Sequence, residues 1–116
     1  MGSSNKIKVL LDTNMLLSLF RFNVALDEDS DLFVTESVVN ELRSMHSQNA
    51  KAALSFVQDR CKVIESLSTF ADRDLLEIAS MLDCVLATND RELRREARAK
   101  GIRTACLRGK KKIVFD

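Results

Sequence analysis

The chain has 116 residues, 46% of them apolar and 30% charged, with a formal net charge of +1; this is the make-up of one globular domain around a single core and excludes an intrinsically disordered chain. No apolar run approaches the ~18 residues of a membrane span, so a helical membrane protein is excluded and a cytoplasmic location is expected. Cys61, Cys84 and Cys106 are odd in number, far apart and without a CxxC pair, which suggests neither a disulfide framework nor a zinc site and predicts buried, reduced thiols.

Residues 1–6, MGSSNK, lack the apolar core of a signal peptide and read as a disordered leader ahead of a single domain spanning 7–116. IKVLLD (7–12) is a short continuous apolar run, the form of a central strand covered on both faces. A helix is expected from about Thr13, with Leu16, Leu17, Leu19 and Phe20 as its apolar stripe; DEDSD (27–31) reads as a charged loop and LFVT (32–35) as a second strand. Thr35 suits the N-cap of a helix over ESVVNELRSMHS, on which the lone His46 reads as a surface residue.

A helix near 48–60 follows, then a third strand at CKVIES (61–66). Thr69 and Asp72 have the spacing of a capping box for a helix from about Asp72 to Leu82. DCVLAT (83–88) is the fourth strand, after which Asn89 and Glu92 are expected to cap a basic helix closed by Gly101. RTACLR (103–108) and KKIVFD (111–116) complete the chain as a fifth strand and a final strand or edge segment. Strands alternate with helices throughout, without linker or repeat, which predicts an α/β fold built on a parallel sheet.

The near-neutral total hides a division: residues 1–89 carry 8 Lys and Arg against 13 Asp and Glu, −5, and residues 90–116 carry 10 against 4, +6. Such a split fits an acidic centre beside a basic rim, or simply solvated helix faces. Asp12 and Asp90 stand at the ends of apolar runs, the carboxyl edge where open parallel sheets bind ligands, although each also suits a helix cap. On its helix Glu41 falls at the edge of the stripe made by Val38, Val39, Leu42 and Met45, from which it reaches either inward or out to water. The stripe Leu75, Leu76, Ala79 and Leu82 puts Asp72 on the inward side, with Asp74 as the alternative third acid or a partner of the helix dipole. Four converging carboxylates would require a counter-charge, and an all-oxygen set favours Mg²⁺ or Mn²⁺ over zinc.

LLDTNMLL with Asp12, VVNEL with Glu41, ADRDLLEIA with Asp72 and VLATNDREL with Asp90 together resemble the PIN-domain nucleases over about residues 8–107, especially the archaeal and eukaryotic branch of small-subunit rRNA-processing proteins. The resemblance implies a PIN-like, Rossmann-like three-layer α/β/α fold with a central, mainly parallel sheet of about five strands. It also implies metal-dependent endonucleolytic cleavage of single-stranded RNA, leaving 5′-phosphate and 3′-hydroxyl ends. Carried over by motif, Asp12, Glu41, Asp72 and Asp90 would be the catalytic, metal-binding acids, and Thr13, Asn14, Thr88 and Asn89 supporting polar groups. One departure is that Arg73 separates Asp72 from Asp74, where related sequences often carry adjacent acids.

Arg91, Arg94, Arg95 and Arg98, with Arg103, Arg108 and Lys110, Lys111 and Lys112, are candidates to meet an RNA backbone, unless several pair with Glu92 and Glu96 on the same helix. With no Trp or Tyr and six Phe mostly in apolar stripes, base stacking is not expected to dominate recognition. A VapC-type toxin with an antitoxin partner, a pre-ribosomal partner and a catalytically silent PIN binding module are the other readings the resemblance leaves. A phospho-accepting receiver domain would want an acidic pair before its second carboxylate and a Lys at a later strand end, and neither is present. Phe20 and Phe22 are candidates for a homodimer patch, or for core.

Overall fold

A computed structural model of the chain describes residues 6–26 and 29–116. The expected leader, apart from Lys6, and positions 27 and 28 of the expected charged loop lie outside the described residues. Six strands and five helices follow in the order β1 (Lys8–Leu11), α1 (Thr13–Arg21), β2 (Asp31–Thr35), α2 (Glu36–Ser44), α3 (Gln48–Arg60), β3 (Cys61–Ile64), α4 (Ala71–Leu82), β4 (Val85–Ala87), α5 (Arg91–Ala99), β5 (Thr104–Arg108) and β6 (Lys112–Phe115). The sheet is ordered β3-β2-β1-β4-β5-β6, with every pairing parallel except β5 with β6. The last segment is therefore a sixth, antiparallel edge strand reached by a tight turn, in which Gly109 and Lys110 adopt φ of 62° and 56°.

The alternation of side chains along the central strands builds the three layers. Val9 and Leu11 of β1, with Val85 and Ala87 of β4, pack into one cluster with Met15, Leu16, Val38, Leu42, Ala53 and Val57 from α1, α2 and α3. Leu10 and Leu86, one residue out of step, face the other way into Leu75, Leu76, Ile78, Leu93 and Ala97 from α4 and α5. Leu10, Leu11 and Leu86 are fully buried, and burial of such a side chain stabilises a fold by about 1.5–3 kcal/mol. This is why an uninterrupted apolar run marks the centre of the sheet. Edge strand β3 instead leaves Lys62 and Val63 exposed.

Three local expectations give way to other contacts. Asp90, not Asn89, caps α5, because the Asn89 side-chain Oδ1 instead accepts the Leu107 N–H at 2.9 Å and ties the end of β4 to β5. No capping box forms with Thr69; α4 starts after Phe70, which makes no side-chain cap bond. His46 is exposed in the link between α2 and α3 rather than on a helix. Thr35 does cap α2, accepting from the Val38 N–H at 3.2 Å, and Gly101 closes α5 with a φ of 77°. Cys84 is buried while Cys61 and Cys106 are half-buried, and all three are free; burial pushes the thiols of Cys61 and Cys84 up to about 11. No helix among the described residues is long and apolar enough to cross a membrane.

Candidate active site

In this strand order the chain leaves β1 toward β2 on one side and toward β4 on the other, and a crevice opens at the carboxyl ends where the direction of winding reverses. Asp12 immediately follows β1, and Asp90 follows β4 by three residues. Glu41 comes from α2 and Asp72 from the first turn of α4. These four carboxylates, drawn from four separate parts of the chain, line one recess of about 170 Å³ together with Thr13, Asn14 and Thr35. Ser37, Val38, Ala71, Leu75 and Leu93 complete its walls.

Asp12 is the most enclosed of the four, at 8% exposure. It caps α1 by accepting the Met15 N–H at 2.7 Å on Oδ1, while Oδ2 accepts from the Thr88 hydroxyl. Burial raises its pKa above 3.8; the Thr88 and Met15 hydrogen bonds act against the rise, and the negative charges of Asp90 and Asp72 add to it. Asp12 thus feels two other acids of the recess, although neither is its neighbour in sequence. Thr88 is fully buried, and its Oγ1 also accepts the Asp90 N–H at 3.1 Å, so one hydroxyl sets two strand-end acids relative to each other.

Asp90 caps α5, accepting the N–H groups of Glu92 and Leu93 at 2.9 and 3.2 Å. Both bonds fall on Oδ1, leaving Oδ2 with no protein donor among the described residues. The Glu41 Oε1 accepts from the Thr13 hydroxyl at 2.6 Å, which turns this otherwise exposed side chain toward the recess. Asp72 is exposed on the rim. Among the described residues no three acidic, His or Cys side chains stand close enough to clasp an ion as they are, so the acids line an open recess rather than a closed cage.

Asp74 does not line the recess. It is fully buried, and its carboxylate accepts the N–H groups of Leu67 and Ser68 at 2.5 and 3.1 Å, with the Ser37 hydroxyl at 3.5 Å. It secures the loop between β3 and α4. Sequence reasoning named Thr35 as a cap but missed it, and Ser37, as recess walls; the signal was available in Thr35, which ends an apolar run beside β1 just as Asp12 does.

Arg91, Arg94, Arg95 and Arg98 line one groove on α5. Arg94 and Arg98 are held there by a shared partner, Asp116, rather than by Glu92 or Glu96. Burial works against ionisation of Asp116, but the hydrogen bonds from Arg94 and Thr104 and the charges of Arg94 and Arg98 outweigh it and hold the carboxyl below its ordinary value. The Lys110 to Lys112 turn follows the carboxyl end of β5, at the same edge of the sheet as the acids, and the Lys110 ammonium lies 5.2 Å from the Phe22 ring centre. The Phe20 ring, half-buried, packs edge-on against Phe56 at 5.6 Å, so this part of the expected dimer patch belongs to the core.

An open, mainly parallel sheet with helices on both faces and a carboxylate-lined crevice at its switch point defines an α/β/α protein of the Rossmann-like class. Within that class residues 9–110 match the family described as the PIN like domain, and the chain belongs to that family. It is 28% identical, over 127 aligned positions, to Ribonuclease VapC9 of Archaeoglobus fulgidus, with 99% of this chain and 94% of that protein covered. Its fold is similar to that of the PIN domain endonuclease Utp24, with a TM-score of 0.79 and 21% identity over 94% of this chain and 93% of that one. PAE2754 from Pyrobaculum aerophilum is similar with a TM-score of 0.57 and 20% identity, over 84% and 90% of the two chains.

Proposed function

We propose that this chain is a metal-dependent endoribonuclease that hydrolyses phosphodiester bonds in single-stranded RNA. The observation that carries the reading is the meeting of Asp12, Glu41, Asp72 and Asp90 in one recess at the switch point of the sheet. The relation to Ribonuclease VapC9 supports the ribonuclease part of this reading. Mg²⁺ or Mn²⁺ fits this recess, because every charged donor is a carboxylate and because Asp72 and Asp90 already raise the proton affinity of Asp12, a repulsion that a divalent cation relieves. Mg²⁺ keeps several waters and takes only one or two carboxylates directly, which suits acids that line an open recess. When bound, the ion would supply a water activated for attack and neutralise charge on the phosphate.

The chain's own groups do the positioning. Thr88 and the Met15 N–H fix both oxygens of Asp12, Thr13 turns Glu41 inward, and the α5 cap fixes Asp90. Asn14 and Asn89 support the same edge, Asn14 from the wall of the recess and Asn89 through its bond to Leu107. The basic groove on α5 begins with Arg91, the residue after Asp90, which makes Arg91 and Arg95 the groups to meet an RNA backbone whose cleaved bond lies at Asp90. The test is incubation of purified protein with labelled single-stranded RNA, with Mn²⁺ or with chelator, beside the Asp12→Asn variant. Cleavage that survives chelation or the substitution refutes the reading.

For the biological setting, the full-length relation to Ribonuclease VapC9 is the ground for a VapC-type toxin held by an antitoxin, whereas the resemblance of VLATNDREL to rRNA-processing PIN proteins is the ground for a pre-ribosomal role. Growth arrest on expression, relieved by a co-expressed partner, distinguishes the first from the second.

A further inference from the structure

Phe70 breaks two local rules at once. It stands at the N-cap of α4, where Ser, Thr, Asp or Asn are favoured, and makes no cap bond, although Thr69 is its neighbour. The residue is also 68% exposed, more than any other large apolar residue among the described residues. Departures from local preference gather at functional sites, and this one directly precedes Ala71 and Asp72, which form part of the recess wall.

The segment is nonetheless held. The Phe70 carbonyl accepts the Asp74 N–H at 2.9 Å, its own N–H donates to the Ser68 hydroxyl at 3.2 Å, and the buried Asp74 carboxylate secures Leu67 and Ser68. The Arg73 guanidinium lies 5.8 Å from the ring centre. Phe70, Arg73, Leu76, Glu96 and Lys100, from α4 and α5 and the residues that cap them, line one groove, with two cations against one carboxylate. An exposed aromatic side chain on a hydrogen-bonded backbone, flanked by net positive charge, matches what single-stranded nucleic acid offers, bases to stack and phosphates to neutralise.

We propose that Phe70, with Arg73 and Lys100, forms a nucleotide subsite beside the acidic recess, in which the Phe70 ring stacks on a base flanking the cleaved phosphodiester and the two cations meet its phosphate. The subsite rests on the reading of the chain as a single-strand ribonuclease. It amends the expectation from composition that stacking contributes little, because Phe70, two residues before Asp72, is exposed rather than packed into a stripe.

The test uses Phe70→Ala and Phe70→Trp in the full chain, with Asp12→Asn added to prevent cutting and with Mn²⁺ present. Binding of a labelled single-stranded RNA is read by anisotropy. Because the chain has no Trp, the indole introduced by F70W is a sole reporter, and stacking on a base quenches it. The expected results are about tenfold weaker binding for F70A, near wild-type affinity with quenching for F70W, and the same tenfold loss when the flanking base is replaced by an abasic site. Unchanged affinity in F70A, or an unquenched F70W in its RNA complex, overturns the subsite while leaving ribonuclease activity standing. If the Asp12-intact chain neither binds nor cuts single-stranded RNA, the ribonuclease reading falls and the subsite with it.

Discussion

Asp72 and Asp74 lie two residues apart on one helix, yet removing them should have opposite consequences. Asp74 is fully buried and accepts two backbone N–H groups, from Leu67 and Ser68. Asp74→Ala leaves both donors without that partner, at about 1–3 kcal/mol each, and forfeits a favourable charge in the first turn of α4. Because the loop is only part-buried, the lower half of that range applies, giving a total loss of roughly 2–5 kcal/mol. That is a substantial part of the roughly 5–15 kcal/mol that holds a domain together. For a chain of this length it corresponds to a fall in Tm of roughly 8–20 °C. Asp72 is exposed, so Asp72→Ala should cost no more than about 1 kcal/mol, its interaction with the helix dipole. It should nevertheless lower Mn²⁺-dependent cleavage by at least about 100-fold, the loss of several kcal/mol of transition-state stabilisation. Urea and thermal unfolding followed by circular dichroism, with cleavage assayed well below each Tm, separate the two effects. The assignment is refuted if Asp74→Ala melts like the parent, or if it alone loses cleavage while Asp72→Ala cuts normally.

Asp12→Asn should abolish cleavage without destabilising the fold, since Asn caps a helix as well as Asp does. The folded state raises the Asp12 pKa above 3.8, so the ionised carboxylate penalises folding once pH exceeds that raised value, and the penalty disappears below 3.8. In chelator, the stability advantage of D12N over the parent should grow from pH 4 to pH 7; urea titrations that give a constant or reversed difference contradict this. Thr88→Val removes the hydroxyl shared by Asp12 and Asp90 and should cost about 1–3 kcal/mol and lower cleavage about 10–100-fold, with Thr88→Ser restoring both. Equal loss in T88S would point to the methyl group instead. Arg91→Ala and Arg95→Ala should each flatten the salt dependence of RNA binding by about 0.7 in log–log slope, while Asp116→Asn, which frees Arg94 and Arg98, should steepen it. Unaltered slopes across all three variants would remove the basic groove from the RNA path.

The order and type of the elements follow from the sequence by itself, because they are set within a few residues of each position. Continuous apolar runs become strands covered on both faces, as at Val9–Leu11 and Val85–Ala87, and the apolar stripe of each helix fixes which side it buries. Strand-end position marked Asp12 and Asp90 as candidates, with a helix cap as the alternative for each, and both do cap helices. Adjacency is another matter. That β1 lies between β2 and β4, so that Asp12 feels Asp90 from 78 positions away, depends on long-range pairing that no local window contains. Competition among partners also lay beyond the sequence: Asn89 bonds to β5 and yields the α5 cap to Asp90, Asp116 takes Arg94 and Arg98 from their neighbours on the helix, and a loop captures Asp74 while Asp72 keeps the recess. Helical angles place a side chain on a face, but only packing determines which donor fills its reach.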